Sequence, residues 1–333
     1  MARHADLLNA KNAKKDEFYT QLEDINAEMI HYEQQFKGKT ILMNCDDPTW
    51  SNFWRYFHIE FERLGLKKII ATHYEYEDIP SYKLEYSGGN DEDFEAGVRT
   101  ELTQNGDFRS DECIELLKEA DIVVTNPPFS LFREYVGLLI QYDKKFIIIG
   151  NVNALTYKEV FPLIKENRIW FGVSIHSGDR KFYVPDDYPL NAAGCGTDDD
   201  GRRFIRVKGV RWYTNMDYTS RHTDLETPYY YSKKDDLYPE LYPKYDNYDA
   251  INIRKVSEIP MDYEDVMGVP ITFMDKYNPD QFEIIGMLID YVGQYFIQGA
   301  PTYTDEKHKN STCAVLNGKR QYAKILIRRK EGK

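Results

Sequence analysis

The residues best suited to chemistry form the tetrapeptide Asn126-Pro127-Pro128-Phe129. Two adjacent prolines lack backbone donors and stiffen the loop, so its polar groups are carbonyl oxygens and the Asn126 amide. An aromatic amine presents two N–H donors to such groups, and Phe129 offers a flat face for its ring. The loop therefore predicts binding of an adenine amino group. The alternative is a polyproline turn in which Phe129 is simply buried.

The residues around this loop predict the elements that position it. The segment 121–125 is β-branched and apolar at its centre, which is typical of a buried strand. Further apolar strands at 40–43, 68–72 and 146–149 alternate with segments of helical spacing. This alternation predicts a Rossmann-like α/β fold with a mostly parallel sheet and helices on both faces. In such a sheet, ligands bind beyond the carboxyl ends of the strands.

Other segments have less regular patterns. Residues 79–102 are rich in Tyr, Gly and acids, and we expect an excursion from the core. A helix is predicted over 157–167, a strand over 168–173 and a further strand over 207–215. Residues 217–261 are dense in Tyr, Asp and Pro without a clear period, which predicts a second small domain or an elaborate loop region.

Composition limits the class of protein. A chain of 333 residues can hold a catalytic domain and a smaller second one. It has no apolar run of about 18 residues and no apolar core of a signal peptide near its start, so we expect a soluble, cytoplasmic protein without a membrane partner. The four cysteines are far apart in sequence, so neither a metal site nor a disulfide framework is predicted.

Charge is distributed unevenly along the chain. The net charge of −12 argues against indiscriminate binding of nucleic acid, because affinity for phosphate depends on Lys and Arg. The segment 201–211 nevertheless lacks acids and holds five basic residues, Arg202, Arg203, Arg206, Lys208 and Arg211. The tail 319–333 holds seven basic residues and one acid. Such local basic surfaces are compatible with docking to one nucleic-acid site, and equally with plain solvated strands.

Several motifs together resemble the EcoRI modification methylase family. They are N-P-P-F, D-E-F-Y-T-Q at 16–21, N-C-D-D-P at 44–48, S-N-F-W-R-Y-F at 51–57, L-G-L-K-K-I-I-A at 64–71 and R-W-Y-T-N at 211–215. Many amino-methylases share N-P-P-F, whereas its combination with N-C-D-D-P is much more selective. The resemblance covers most of the chain in order. It implies a class I methyltransferase fold. It also implies an enzyme that transfers a methyl group from S-adenosylmethionine to N6 of adenine in DNA.

The resemblance also implies how the chain is divided. A cofactor-binding catalytic domain would cover 1–216, with an insertion around 174–206, and a DNA target-recognition region would cover 217–333. The expected partner is double-stranded DNA, contacted through the basic segment 201–211. The family context suggests a restriction endonuclease as a functional counterpart, or a phage-borne or solitary methylase.

The cofactor's methionine end would be held by two segments. Phe18, Tyr19 and Thr20 match the family segment that closes over it, although they could also be helix-start residues with an aromatic staple. The turn after the first strand offers Asp46 and Asp47 to its ammonium or sulfonium charge, at a helix amino terminus that can bind its carboxylate. At least one of these acids could instead cap a helix predicted over 52–64.

Two further positions are assigned to the rest of the cofactor. Glu75 follows the second strand, where Rossmann-like folds place an acid against ribose hydroxyls. Its neighbours Glu77 and Asp78 compete for this role. Asp107 and Phe108 match the turn at which relatives hold the cofactor's adenine, although an ordinary surface turn is equally compatible with the pattern.

The tetrapeptide at 126–129 would act on the target base and border the cofactor. Asn126 and the Pro127 carbonyl would accept hydrogen bonds from the amine, which directs its lone pair towards the methyl group. Because N6 cannot reach a buried loop from inside a duplex, the adenine must flip out and stack on Phe129. This scheme needs no metal and no dedicated general base.

Two other functions stay open at this point. Methylation of an RNA base or a protein glutamine shares the chemistry, although glutamine methylases typically carry Tyr where this chain has Phe129. A DNA-binding or cofactor-sensing protein without turnover is the second, and the glycine-free turn N-C-D-D-P is its main support.

Overall fold

The computed structural model describes residues 20–75, 79–89, 92–184, 188, 190, 194–289 and 313–332. Its helices are α1 (Leu22–Met29), α2 (Glu33–Phe36), α3 (Asn52–Ile59), α4 (Phe61–Leu64), α5 (Asp111–Glu119), α6 (Phe132–Gln141), α7 (Phe161–Lys165) and α8 (Lys234–Leu237). Its strands are β1 (Thr40–Met43), β2 (Lys68–His73), β3 (Tyr82–Tyr86), β4 (Val98–Glu101), β5 (Ile122–Thr125), β6 (Lys145–Asn151), β7 (Trp170–Phe171), β8 (Asp179–Tyr183), β9 (Gly196–Thr197), β10 (Arg203–Lys208), β11 (Val210–Thr214), β12 (Ile251–Asn252), β13 (Met267–Pro270), β14 (Phe282–Leu288), β15 (Val315–Leu316), β16 (Lys319–Arg320) and β17 (Lys324–Arg329).

The chain divides into two compact units. The first comprises Met1–Leu155 and Phe171–Asp217, and the second comprises Thr156–Trp170 and Tyr218–Lys333. The second unit therefore includes α7, although this helix precedes β11 in the sequence.

The largest sheet has the strand order β4-β3-β2-β1-β5-β6-β11-β7. Its middle strands β2, β1, β5 and β6 pair in parallel, whereas β3, β4 and β11 pair antiparallel. Strands β1 and β5 are buried along their whole length and are apolar except for one threonine each, as expected for the centre of a parallel sheet. The prediction of an α/β protein is confirmed, and the sheet is a mixed one with a parallel centre.

The register of the middle strands brings two loops together. Leu42 on β1 pairs with Val123 on β5, so these parallel strands end at the same edge of the sheet. The turn 44–48 and the loop 126–129 follow the two strands directly. They consequently lie side by side at the carboxyl edge, where open α/β sheets bind ligands.

Four predicted segments differ from the structure. Residues 79–102 contain β3 and β4, which extend the sheet rather than leave it, and β3 buries Tyr82 and Tyr86. The strand predicted over 207–215 is the two strands β10 and β11, which break at Gly209 because its φ is +74°. The strand predicted over 168–173 is reduced to β7, and the helix predicted over 157–167 is shortened to α7, with a proline in its first turn.

The helix predicted over 52–64 is also interrupted. It forms α3 and α4, which meet at Glu60. Ser51 caps α3, because its hydroxyl accepts a hydrogen bond from the Phe53 N–H at 3.0 Å. The acids of the preceding turn therefore do not cap this helix and are available for other contacts.

The second unit is built around the four-stranded sheet β12-β13-β17-β14. Strand β17 pairs antiparallel with both of its neighbours, and β14 shifts register between Ile284 and Gly286. Leu326 and Tyr245 belong to its buried core. Among the helices of the described residues, none is long and apolar enough to cross a membrane.

Candidate active site

The loop 126–129 follows β5 without an intervening residue. Asn126 is only 3% exposed, Pro127 is buried, and Pro128 and Phe129 are half-buried. A 3₁₀ turn begins at Phe129, and its first hydrogen bond runs from the Leu131 N–H to the Pro128 carbonyl at 2.9 Å. The loop is therefore held at both ends and presents Phe129 partly to the outside.

Asp46, in the neighbouring turn, binds the start of this loop. Its Oδ2 accepts hydrogen bonds from the Thr125 hydroxyl and, at 3.0 Å, from the Asn126 backbone N–H. Its Oδ1 accepts from the Ser51 hydroxyl at 3.1 Å. Withdrawal from water raises the pKa of Asp46 to about 6, although these hydrogen bonds oppose the shift. The carboxylate connects the turn to the loop.

Asp47 faces a different partner, His73 at the end of β2. The His73 Nδ1 and the Asp47 Oδ2 are hydrogen-bonded, and the Asp47 Oδ1 accepts from the Thr49 N–H at 2.9 Å and its hydroxyl at 2.7 Å. Burial alone would raise the pKa of Asp47, but the bonds from His73 and Thr49 together lower it. His73 stacks on Tyr82, and its Nε2 is buried without a hydrogen-bond partner in the described part of the chain.

Asn44 and Tyr135 form a buried polar pair at the base of the turn. The Tyr135 hydroxyl donates to the Asn44 Oδ1, and burial raises the pKa of Tyr135 well above its usual value. The Asn44 Nδ2 is buried, with no hydrogen-bond partner among the described residues. Phe108 packs edge-on against Tyr135, with ring centroids 5.0 Å apart. The Asn44 Nδ2 donor and the rings of Phe108 and Tyr135 thus lie at the turn after β1.

The loops after β2 and β4 pack against each other. The Glu75 N–H donates to the Asn105 carbonyl at 2.9 Å, while the Glu75 side chain is exposed. A Cβ on Gly106 would lie 2.6 Å from the His73 carbonyl oxygen, so only glycine permits this approach, and its φ is +77°. The Asp107 carboxylate accepts from the Arg109 side chain at 2.7 and 2.8 Å. The turn that contains Asn105 and Gly106 thus lies against the chain at His73 and Glu75.

The N-terminal cofactor segment is described only in part. Phe18 and Tyr19 lie outside the described residues. Thr20 is buried, and its carbonyl accepts from the Asn52 Nδ2 at 2.7 Å, which ties the segment to α3. The Thr20 hydroxyl is buried and has no hydrogen-bond partner within the described ranges.

The predicted DNA-binding residues fall on β10, on β11 and just before β10. Arg202 is exposed and forms ion pairs with Asp198 and Asp200. Arg206 is also exposed, and its Nη1 lies 3.4 Å from the Asp179 Oδ1. Lys208 is also exposed. Strand β8 supplies Asp179, and the turn between β9 and β10 supplies Asp198 and Asp200, so the basic segment is less positive in the fold than in the sequence.

Two of the five basic residues are turned inward. Arg203 is half-buried and donates to the Tyr188 carbonyl at 2.6 Å. Arg211 is 4% exposed and donates to the carbonyls of Val210 and His176, so its environment does not favour a phosphate contact. The DNA-binding role of all five stays a prediction.

Sequence reasoning did not identify several residues of the site. They are Asn44, Ser51, His73, Thr125 and Tyr135. The hydroxyl of Thr125 at the end of a buried strand was the one local signal, because a buried polar group needs a partner. Elsewhere, the described residues contain no group of three or more side chains placed to hold a metal ion, and none of the four cysteines, all of them among the described residues, forms a disulfide.

An Asn-Pro-Pro-Phe loop at the end of a parallel strand, anchored beside an acidic turn, is the arrangement expected of an amino-methyltransferase. The chain belongs to the family described as adenine-specific methyltransferase EcoRI, whose model matches residues 6–330. No solved structure matches the chain.

Curated relatives are similar over almost their whole length. The type II methyltransferase M.EcoRI of Escherichia coli is 46% identical over 345 residues, which cover 99% of this chain and 99% of that protein. M.MpnI of Mycoplasma pneumoniae is 38% identical over 97% of both chains. M.MgeORF184P of Mycoplasma genitalium is 37% identical over 97% of this chain and 98% of its own. The predicted family and the predicted activity, adenine-specific DNA methylation, are confirmed, and RNA or protein acceptors are not favoured.

Proposed function

We propose that this protein transfers the methyl group of S-adenosylmethionine to N6 of an adenine that has been flipped out of double-stranded DNA. The observation that carries the proposal is the loop 126–129 at the carboxyl end of β5, with its first residue bound by Asp46. In this reading the first unit holds a Rossmann-like class I methyltransferase domain. Residues 217–333 select the target, and the insertion around 174–206 adds the sheet β8-β10-β9.

The residues at the carboxyl edge fit this cofactor chemically. S-Adenosylmethionine combines a carboxylate and an ammonium group with a ribose and an adenine, and its sulfonium supplies an activated methyl group on a good leaving group. The buried Asn44 Nδ2 and Thr20 hydroxyl are donors for a carboxylate, and Asp47 is an acceptor for an ammonium group. Donors and acids thus match the charged methionine end, to which Phe18 and Tyr19 would also belong.

The other end of the cofactor would meet a second group of residues. Glu75 is exposed and could bind the ribose hydroxyls. Asp107 would accept from the adenine amine, and the buried face of Phe108 would line the ring. The Asp107 carboxylate is bound by Arg109, so this role requires it to keep a free lone pair.

The target amine would be held by the loop itself. The Asn126 side-chain oxygen and the Pro127 carbonyl accept from its two N–H groups, which draws the nitrogen lone pair out of the ring plane. Phe129, which is half-buried, offers a ring face on which the flipped adenine can stack. The bound cofactor would supply the methyl group to this nitrogen with its thioether as the leaving group, and the methylated amine would lose its proton to solvent. Alignment supplies much of the rate.

Contacts with DNA would come from exposed cations. Arg202, Arg206 and Lys208 are exposed on or beside one strand, and Arg203 is half-buried there. Because Arg202 and Arg206 already face acids, phosphate binding would exchange one ionic partner for another and remain salt-sensitive. A restriction endonuclease as the functional counterpart is part of the same proposal and would be a separate protein.

The direct test supplies the full chain with methyl-labelled S-adenosylmethionine and long mixed-sequence DNA that lacks adenine methylation. Label on N6 of adenine is the expected result, and RNA and protein added in separate reactions should stay unlabelled. Cofactor binding measured by calorimetry controls for folding. Protein that binds the cofactor but labels no adenine would refute the proposal.

A further inference from the structure

One buried hydroxyl joins the turn after β1 to the catalytic loop. Thr125 is fully buried at the end of β5, immediately before Asn126. Its Oγ1 accepts a hydrogen bond from the Cys45 N–H at 3.2 Å and donates one to the Asp46 Oδ2. The hydroxyl therefore both accepts and donates a hydrogen bond. These two bonds connect loops that are about eighty residues apart in sequence.

The same carboxylate reaches a third element. The Asp46 Oδ1 accepts from the Ser51 hydroxyl at 3.1 Å, and the Ser51 hydroxyl in turn accepts from the Phe53 N–H at 3.0 Å. The start of α3, the turn after β1 and the loop after β5 are thus connected through one ionisable side chain. Buried networks of this kind rigidify a site when every member has its partner.

The point of attachment on the loop follows from its sequence. Pro127 and Pro128 have no N–H, so Asn126 carries the only amide hydrogen between residues 125 and 129. That N–H donates to the Asp46 Oδ2 at 3.0 Å. A carboxylate acceptor makes such a bond stronger than a neutral one. The loop is therefore fixed at the single backbone donor that it offers before its 3₁₀ turn.

We propose that Thr125, acting through Asp46 and together with Ser51, is a positioning residue that holds Asn126 and the Pro127 carbonyl in place for the target amine. The inference rests on the proposed role of Asn126. It also gives Asp46 a task within the protein beside the cofactor contact suggested by the sequence, since its Oδ2 accepts two hydrogen bonds and its Oδ1 accepts one.

The informative variant is Thr125→Val, which keeps the β-branched shape and removes only the hydroxyl. We expect kcat to fall about 10- to 100-fold, because small misplacements of a positioned group have effects of that size. The KM for DNA and for the cofactor should stay within about threefold, since neither ligand loses a direct contact. Thr125→Ser restores the hydroxyl and should recover most of kcat.

Thr214 provides a matched control on the same sheet. It is fully buried at the end of β11, and its hydroxyl donates to the Phe146 carbonyl at 2.7 Å, away from the loop. Thr214→Val should lower the unfolding temperature about as much as Thr125→Val but leave kcat unchanged. An equal loss of kcat in both variants would assign the effect to stability and overturn the inference.

Hydrogen exchange supplies a readout that does not depend on methyl transfer. The Asn126 amide should exchange slowly in the full-length wild-type protein and at least about tenfold faster in Thr125→Val, because its acceptor is loosened. Unchanged protection of Asn126, or a Thr125→Ser variant as slow in turnover as Thr125→Val, would overturn the inference. If instead the wild-type protein methylates no adenine, the proposed function fails, while the exchange result still decides whether Thr125 holds Asn126 in place through Asp46.

Discussion

Glu28 on α1 is a buried carboxylate on which several hydrogen-bond donors depend. It is fully buried, and its carboxylate accepts from the N–H groups of Val173 and Ser174 at 2.9 and 2.7 Å. It also accepts from the Ser174 hydroxyl at 2.6 Å and the Tyr32 hydroxyl at 2.8 Å. One side chain therefore satisfies four donors and fastens the chain beyond β7 to α1.

Glu28→Ala removes the acceptor of these donors, of which Tyr32 is buried and Val173 and Ser174 are half-buried. A buried unsatisfied donor costs about 1–3 kcal/mol, but hydroxyls can rotate towards other acceptors, so the effects do not add fully. We expect the free energy of unfolding to fall by about 3–5 kcal/mol, a large part of the stability of a typical domain. Glu28→Gln keeps one acceptor oxygen but turns an NH₂ group towards N–H donors, and should cost about 2 kcal/mol.

Urea denaturation followed by circular dichroism at pH 7 measures these differences. Glu23→Ala is the control on the same helix, because Glu23 is exposed and its loss should change stability by less than about 0.5 kcal/mol. A free energy of unfolding for Glu28→Ala within about 1 kcal/mol of the wild-type value would refute the reasoning. The loss of the acceptor for four donors should destabilise the protein by more than that.

Three further predictions concern salt and pH. Lys208→Ala should weaken DNA binding evenly across sequences and reduce the slope of log K against log salt by about 1, measured by fluorescence anisotropy; an unchanged slope would remove Lys208 from the interface. Methyl transfer should decline as pH falls through the Asp46 pKa of about 6, since the protonated carboxyl accepts less well, and Asp46→Asn should lack this acidic limb. Burial lowers the pKa of Lys324 to about 8, so the unfolded chain binds more protons above that pH. The free energy of unfolding should therefore gain a component that rises between about pH 8 and 10.4, and Lys324→Met should abolish it in denaturation curves.

Local patterns were sufficient to predict the loop 126–129 and the strand that precedes it. A short β-branched run followed by two prolines leaves little freedom, so β5 ends where expected and Asn126 begins the loop. The strands β1, β2 and β6 were recognisable for the same reason, as their apolar runs match the centre of a parallel sheet.

The contacts that organise the site could not be predicted in this way. Asp46 meets Thr125 only because β1 and β5 are neighbours in a particular register, and no local pattern encodes that pairing. The sequence also favoured an acid as the cap of α3, whereas Ser51 takes that place. Arg211 shows a second limit of the sequence, since counting basic residues does not distinguish an exposed strand position from a buried one.

The most direct test of the account is the rate of methyl transfer in Asn126→Ala under single turnover, with cofactor and DNA both saturating. We expect the rate to fall at least about 10²- to 10³-fold, as it does when a group that stabilises the transition state is removed. Cofactor affinity should stay within about tenfold of the wild type, because the groups proposed for the methionine end remain in place. Near-normal methylation of adenine by folded Asn126→Ala would contradict the central claim that this loop activates the amine.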